Sequence, residues 1–320
     1  MQASPTPTTV IHNTVPSELR ATVSQLNIYP VKSLQGISLP SVEVTPQGLR
    51  WDRHWMIVNE DGMFATQRHL PNLARISTDI TEEHLILSAE GIAPLAIPLK
   101  LKSNSVTKRS VKVWKSDCEA IEERHSSEWL TNVIGKWRNQ SLSLVRMAPN
   151  FNRAVSEKHL KGKQATTYFA DGYPFLITNT ASLISLNQQL ISRNESPVPM
   201  SRFRSNIVLD SQFAFCEHSH TNMRINRVSD NTELLHFDLC KPCERCKVTS
   251  IDQLTGISPA PQQPLKTLLA MDHIDKKGAF FGQNAILTTH LNDTSKRQNN
   301  RIRIGDTVIL SSQNNITQTT

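Results

Sequence analysis

The chain has 320 residues, 38% of them hydrophobic and 20% charged, a composition that suits a globular protein with its own core. Thirty-five basic against 28 acidic residues leave a net charge of +7. That excess favours an anionic ligand, yet lysine and arginine are scattered without a basic stripe among aromatics, so no nucleic acid is expected. No apolar run nears the ~20 residues a bilayer-spanning helix needs, and no membrane partner is expected. Five cysteines and no export signal point to a cytoplasmic location with free thiols.

In chain order, residues 1–21, with Pro5, Pro7 and Pro16, read as a disordered leader. Strands are expected at Leu26–Pro30, Val42–Val44 and Arg53–Asn59, with a turn at Asp61-Gly62. A hairpin pairs His84–Ala89 with Leu95–Leu99, and Ser110–Trp114 adds another strand. Ser126 and Ser127 cap a helix whose apolar face holds Trp129, Leu130, Val133, Ile134 and Trp137. A domain boundary is expected within residues 138–155, after the strand Leu142–Val145 begins. An apolar strand over 171–178 then enters a second helix, capped by Thr180 and turning Leu183, Ile184, Leu186, Leu190 and Ile191 inward. Strand-to-helix junctions of this kind present free N–H groups to an anion. Ile207–Leu209 and Glu233–Leu239 read as strands, separated by a polar loop over 211–231. Phe280–Phe281, Ala285–Thr289 and Thr307–Leu310 follow, with Ile304 alongside, a polar loop at 292–300 and a flexible tail at 313–320.

The chemistry concentrates in Cys240-Lys-Pro-Cys243-Glu-Arg-Cys246, since thiols so close together commonly serve a metal or a redox step. An iron–sulfur cluster needs a fourth thiolate, and Ser250 stands where one is wanted. His236 could complete a Cys3His zinc site, although a strand over 233–240 would hold it away from Cys246. A single thiolate on a soft metal held mainly by a cofactor is the third option.

Five ordered motifs carry a resemblance: Tyr29-Pro-Val-Lys32-Ser33, Asp52-Arg53-His-Trp55, Asp171 with Pro174-Phe-Leu-Ile, Arg202-Phe-Arg204-Ser-Asn206, and Arg245-Cys246-Lys-Val-Thr-Ser-Ile-Asp252. Over about residues 22–312 the chain resembles MOSC proteins, in particular those of the YcbX and mitochondrial amidoxime-reducing type. The resemblance implies a mainly β (α+β) fold: an N-terminal β-barrel-like domain over 22–145 and a MOSC core β-barrel with a few helices over 146–312. Between them it implies molybdenum cofactor, with Cys246 as the metal ligand and Cys240 and Cys243 as neighbours. Lys32, Ser33, Arg53, Thr178, Asn179, Thr180, Arg204 and Asn206 are implied to bind the phosphate and pterin. Asp252 is the candidate catalytic proton relay, with turn capping the preferred reading. The family also carries an association with pyridoxal phosphate.

The implied activity is a molybdenum-dependent oxidoreductase of N-hydroxylated compounds, with N-oxygen transfer to molybdenum and two-electron reduction. The alternative is a cofactor-binding or sulfur-carrier module without turnover. Ser205 stands where the family commonly has proline. Many YcbX proteins continue into a ferredoxin-like domain, whereas no cysteine follows Cys246. No iron–sulfur cluster is therefore expected in this chain, and electrons are expected from a separate flavoprotein reductase or ferredoxin-like donor.

Overall fold

The computed structural model describes residues 15–101, 107–229, 231–274, 277–289 and 300–312. The expected tail at 313–320, most of the loop at 292–300 and residues 1–14 of the expected leader lie outside the described residues. Among the described residues, no helix is long and apolar enough to cross a membrane.

Seven strands close a barrel: Glu18–Ile28, Phe175–Asn179, Ile207–Asp210, Asn222–Asn226, Glu233–Glu244, Phe280–Leu287 and Thr307–Ser311. All neighbours run antiparallel except Phe175–Asn179 beside Ile207–Asp210. Glu18–Ile28 closes the ring, pairing Glu18 with Ser311 on one side and Leu26 with Ile207 on the other. Its side chains show how register is set. Leu19, Ala21 and Val23 point inward, then the register shifts between Val23 and Gln25, and Leu26 and Ile28 point inward instead. One inserted residue flips the alternation and keeps both halves of the strand apolar toward the core. Inside, Phe175 and Phe237 meet edge to face at 5.1 Å. Each such ring or leucine, fully buried, contributes about 1.5–3 kcal/mol.

The N-terminal part holds a four-stranded antiparallel sheet in the order Trp55–Asn59, Leu142–Met147, Ser116–Glu122, Lys108–Val113. Beside it lies a meander of Ser77–Ile80, His84–Ala89 and Ile92–Pro98. Trp55–Asn59 and Leu142–Met147 are buried on both faces. Trp55, Ile57, Leu142 and Leu144 face the meander and the helix Ser126–Ile134, while Met56, Val58, Val145 and Met147 face the other way. Continuous apolar runs, rather than alternation, are what such strands require.

The fold corrects several expectations. Residues 18–21, expected in the leader, begin the strand that closes the barrel. The boundary at 145/146 falls inside Leu142–Met147, and the first strand of the N-terminal part belongs to the core barrel. The polar loop over 211–231 contains a short helix, Cys216–Ser219, and the barrel strand Asn222–Asn226. Only Met223 and Ile225 give that strand an inward apolar face, too short an alternation to stand out among polar neighbours. The first helix is preceded by His125 in left-handed geometry with no side-chain cap, and the second is capped by Asn179 rather than Thr180. The second helix buries Ser182, Leu186 and Leu190 at intervals of four, which turns Ile184 and Ile191 outward into solvent.

Candidate functional site

Cys246 follows the long barrel strand Glu233–Glu244 and opens the tight turn Lys247–Ser250. Thr249 anchors that turn, donating from its N–H and its hydroxyl to the Cys246 carbonyl at 3.0 and 2.9 Å. The half-buried Cys246 thiol faces a pocket lined also by Lys32, Ser33, Arg53, Arg68, Asp171, Arg204, Asn206, Cys243 and Arg245. Five cationic side chains therefore meet one carboxylate. The free volume is only about 130 Å³, because long side chains fold across it.

Each cation is held by a different part of the chain. Lys32, 7% exposed, donates to the Phe169 carbonyl at 2.8 Å and pairs with Asp171. Burial lowers its pKa against the opposing pull of Asp171. Arg53 grips both carboxylate oxygens of the buried Asp52 at 2.7 Å and reaches the Arg204 carbonyl at 3.1 Å. Burial raises the Asp52 pKa, and Arg53 opposes that rise. Tyr29 lies between Arg53 and Arg204, whose guanidinium carbons stand 4.3 and 4.2 Å from its ring centre. Gly36 makes room for that ring, since a Cβ there would sit 2.5 Å from it.

Arg204 donates to the Leu34 carbonyl at 2.7 Å and to Gln253 at 3.1 Å, and Gln253 is cross-linked to Gln67. Its other terminal nitrogen is buried without a partner. Burial, then the nearby Arg53 charge, lower its pKa to about 10. Two guanidinia crowded together with an unused N–H are suited to an added anion. Ser33, Arg53 and Arg204 all adopt left-handed backbone geometry, with φ of 72°, 47° and 55°. Backbone strain of this kind, about 1–3 kcal/mol each, tends to gather at functional sites.

Two arginines address the sulfurs. Arg68 donates to Cys246 Sγ at 3.2 Å, and Arg245 donates to Cys243 Sγ at 2.9 Å while its other terminal nitrogen holds the Phe203 carbonyl at 2.7 Å. Arg68 also lies 4.7 Å from the ring centre of Trp114, which is 47% exposed and donates to Asp171 at 3.2 Å. Of these residues, Arg68, Trp114 and the cationic role of Arg245 escape sequence reasoning. Arg68 and Trp114 lie outside every motif, and only the folded N-terminal sheet brings them to the cysteine.

The structure gathers Cys246, Lys32, Ser33, Arg53, Arg204 and Asn206, but not every expected residue. Asn206 lines the pocket with its amide already engaged, accepting from the Leu176 N–H and donating to the Asn27 carbonyl. Thr178, Asn179 and Thr180 do not line it. The Thr178 hydroxyl donates to Ser205 Oγ at 2.9 Å, Asn179 accepts from the Ala181 N–H, and Thr180 donates to Asp210 at 2.7 Å. At the helix N-terminus, the Ala181 N–H is thus already taken by the Asn179 side chain. Ser205, where a proline was expected, supplies the hydroxyl that Thr178 meets.

Asp252 also stands outside the pocket. It accepts from Leu254 N–H, Thr255 N–H and the Thr255 hydroxyl, and pairs with Arg202 at 3.2 Å. These backbone bonds, then the Thr255 hydroxyl and Arg202, depress its pKa. It closes a turn. Cys240 packs against Val155, Leu160 and Ile286, and burial pushes its thiol up to about 12. Register shifts between Leu239 and Lys241 and between Pro242 and Glu244 separate it from the two pocket cysteines. Among the described residues, no three His, Cys, Asp or Glu side chains assemble to hold a metal ion, so the Cys3His arrangement is not formed.

The family profile described as "MOSC N-terminal beta barrel domain" matches residues 20–137, and that described as "MOSC domain" matches residues 164–309. Mitochondrial amidoxime-reducing component 1 of Mus musculus is 30% identical over 304 residues, 91% of this chain and 83% of that protein. Mitochondrial amidoxime reducing component 2 of Bos taurus is 31% identical over 77% of this chain and 71% of its own. Human molybdenum cofactor sulfurase is 30% identical over 73% of this chain, which spans only 27% of that larger protein. Among solved structures, the YuaD protein of Bacillus subtilis aligns with 92% of this chain and 98% of its own at a TM-score of 0.39 and 7% identity. Two domain profiles, and relatives matched over most of their own length, agree with the barrel: the chain belongs to the MOSC proteins, of the YcbX and amidoxime-reducing component type.

Proposed function

We propose that this protein is a molybdenum-cofactor-dependent reductase of small N-hydroxylated compounds, supplied with electrons by a separate protein. The observation that carries the reading is the Cys246 thiol in a pocket of five cations and one carboxylate. A soft metal held by an anionic sulfur-bearing pterin needs one protein thiolate and many donors. The unpartnered nitrogen of Arg204 is a donor of that kind.

In this reading Cys246 ligates the metal, while Lys32, Ser33, Arg53 and Arg204 hold the pterin and its phosphate. Bound there, the cofactor supplies the two-electron reduction of the N–O bond. Arg68 holds the cysteine sulfur in place by donating to it at 3.2 Å. Asp171, held well below the usual carboxylate range by Lys32 and Arg68 against the effect of burial, stays ionised and anchors Lys32 in the pocket wall. Trp114 screens the mouth from water beside Asp171.

The test is to purify the protein from molybdenum-replete cells, measure metal and pterin, and assay an amidoxime with a chemical reductant. Stoichiometric molybdenum and turnover, both lost in Cys246→Ala, are expected. Zinc without pterin, or undiminished turnover in that variant, refutes the proposal. Arg245 beside Cys243 favours a second reading, a sulfur carrier without turnover. It predicts equal loss of function in Cys243→Ala and Cys246→Ala, whereas the reductase tolerates the first far better.

A further inference from the structure

A second cavity is larger than the cysteine pocket. A cleft of about 460 Å³ lies between Arg50, Trp51, His54, Arg153 and Tyr168, within the ~300–1,000 Å³ range of small-molecule sites. It shares no lining residue with the pocket but adjoins it through the chain. Arg53 lines one and His54 the other, while Arg153, in the cleft, donates to the carbonyls of Ala170 and Asp171, which line the pocket.

Its walls have two chemical characters. One is aromatic: the Trp51 and His54 rings stand perpendicular at 5.2 Å, and His54 and Tyr168 meet edge to face at 4.6 Å. Burial, then the charges of Arg146 and Arg50, lower the His54 pKa to about 4, so at neutral pH this ring is an uncharged part of the wall. The other character is cationic. Arg50, Arg146 and Arg153 line the cleft, and among the described residues no carboxylate does. Arg146 is answered by Glu123, and Arg50, half exposed, by Glu43 at the surface. Arg153 is 6% exposed and donates only to main-chain carbonyls, leaving its Nε buried and unpartnered. Asp171, beyond ion-pair distance, is the carboxylate that acts on this guanidinium, and a closer anion would offset more of its burial cost.

We infer that this cleft is a second binding site, for a planar aromatic anion of one or two rings, whose ring packs against Trp51, His54 and Tyr168 and whose charge meets Arg50 and Arg153. Arg50 stands over Trp51 with its guanidinium carbon 5.0 Å from the ring centre, which places charge and aromatic face within the span of one small ligand. A carboxylate and a phosphate ester share the required chemistry. The site is independent of the molybdenum cofactor, and so is its test.

The purified protein is titrated calorimetrically at low salt with benzoate, phenyl phosphate, benzamide and cyclohexanecarboxylate. One-to-one binding of an aromatic anion below about 1 mM is expected, with whichever of benzoate and phenyl phosphate binds tighter identifying the acid group. Benzamide and cyclohexanecarboxylate should each bind about tenfold more weakly, because each lacks one of the two features. Arg50→Gln, a substitution at a half-exposed side chain, should weaken the aromatic anions about tenfold. Arg68→Gln, in the cysteine pocket, should leave them unchanged. Absence of binding by both aromatic anions, equal binding of cyclohexanecarboxylate, or loss in Arg68→Gln with none in Arg50→Gln overturns the assignment.

Discussion

Glu217 offers a stability test that depends on burial alone. It sits in the short helix Cys216–Ser219 with no exposed surface, and its two carboxyl oxygens accept from one hydroxyl, that of Ser182, each at 3.2 Å. Burial is the dominant effect and pushes its pKa from 4.5 to about 7. Because the folded pKa is raised, the folded state binds more protons than the unfolded between those values. This contribution to stability is fully present below pH 4.5 and is lost as pH rises through 7. At about 1.4 kcal/mol per pH unit, the loss is on the order of 3 kcal/mol as an upper bound. Glu217→Gln keeps the shape and cannot ionise. The variant should therefore gain on the wild type between pH 5 and pH 8, by up to about 3 kcal/mol in the difference of differences. Urea denaturation of both proteins at several pH values measures this. Parallel stability profiles across that range would refute the argument.

Three further outcomes follow from the site. Asp252→Ala should cost about 1–3 kcal/mol in urea denaturation through lost turn bonds, yet leave the pH profile of turnover unchanged; a shifted profile would restore Asp252 as a proton relay. Gly282→Ala should destabilise by at least about 2 kcal/mol, because φ is +78° and the added Cβ would meet Thr178 and the Ile177 carbonyl at 2.6 and 2.7 Å; a melting temperature equal to wild type would contradict that. Arg68→Met removes a charge-assisted bond of about 1.5–3 kcal/mol, so molybdenum retained per chain after dialysis should fall about tenfold or more, while Thr180→Val should retain it fully.

Sequence motifs and structure agree best where a residue acts through its own neighbourhood. Cys246 and Arg204 sit in motifs whose backbone is locally determined, by a strand-to-turn junction and a left-handed residue. The anion-binding role of Thr178–Thr180 fails because strand-to-helix junctions look alike in sequence whether their N–H groups face a ligand or a neighbouring side chain. Asp210, 30 residues away, accepts the Thr180 hydroxyl, a contact that no local pattern announces. Arg68 and Trp114 were illegible for the opposite reason. Nothing local marks them, and their contacts with Cys246 and Asp171 span 178 and 57 residues. The strand Asn222–Asn226 was hidden by its polar outward residues, which a barrel wall open to solvent tolerates.

The pairing of Glu18 with Ser311 also governs the order of assembly. During synthesis the four-stranded sheet drawn from residues 55–147 emerges whole and can form by itself. Glu18–Ile28 emerges earlier and can pair along one side with Ile207–Asp210, but its other side waits for Thr307–Ser311. Closure of the ring therefore depends on the contact of longest sequence separation in the barrel, a pairing that carries a high loop-closure cost. A ribosome stalled before residue 307 would present an unclosed barrel, the species most exposed to strand-edge aggregation and most in need of a chaperone.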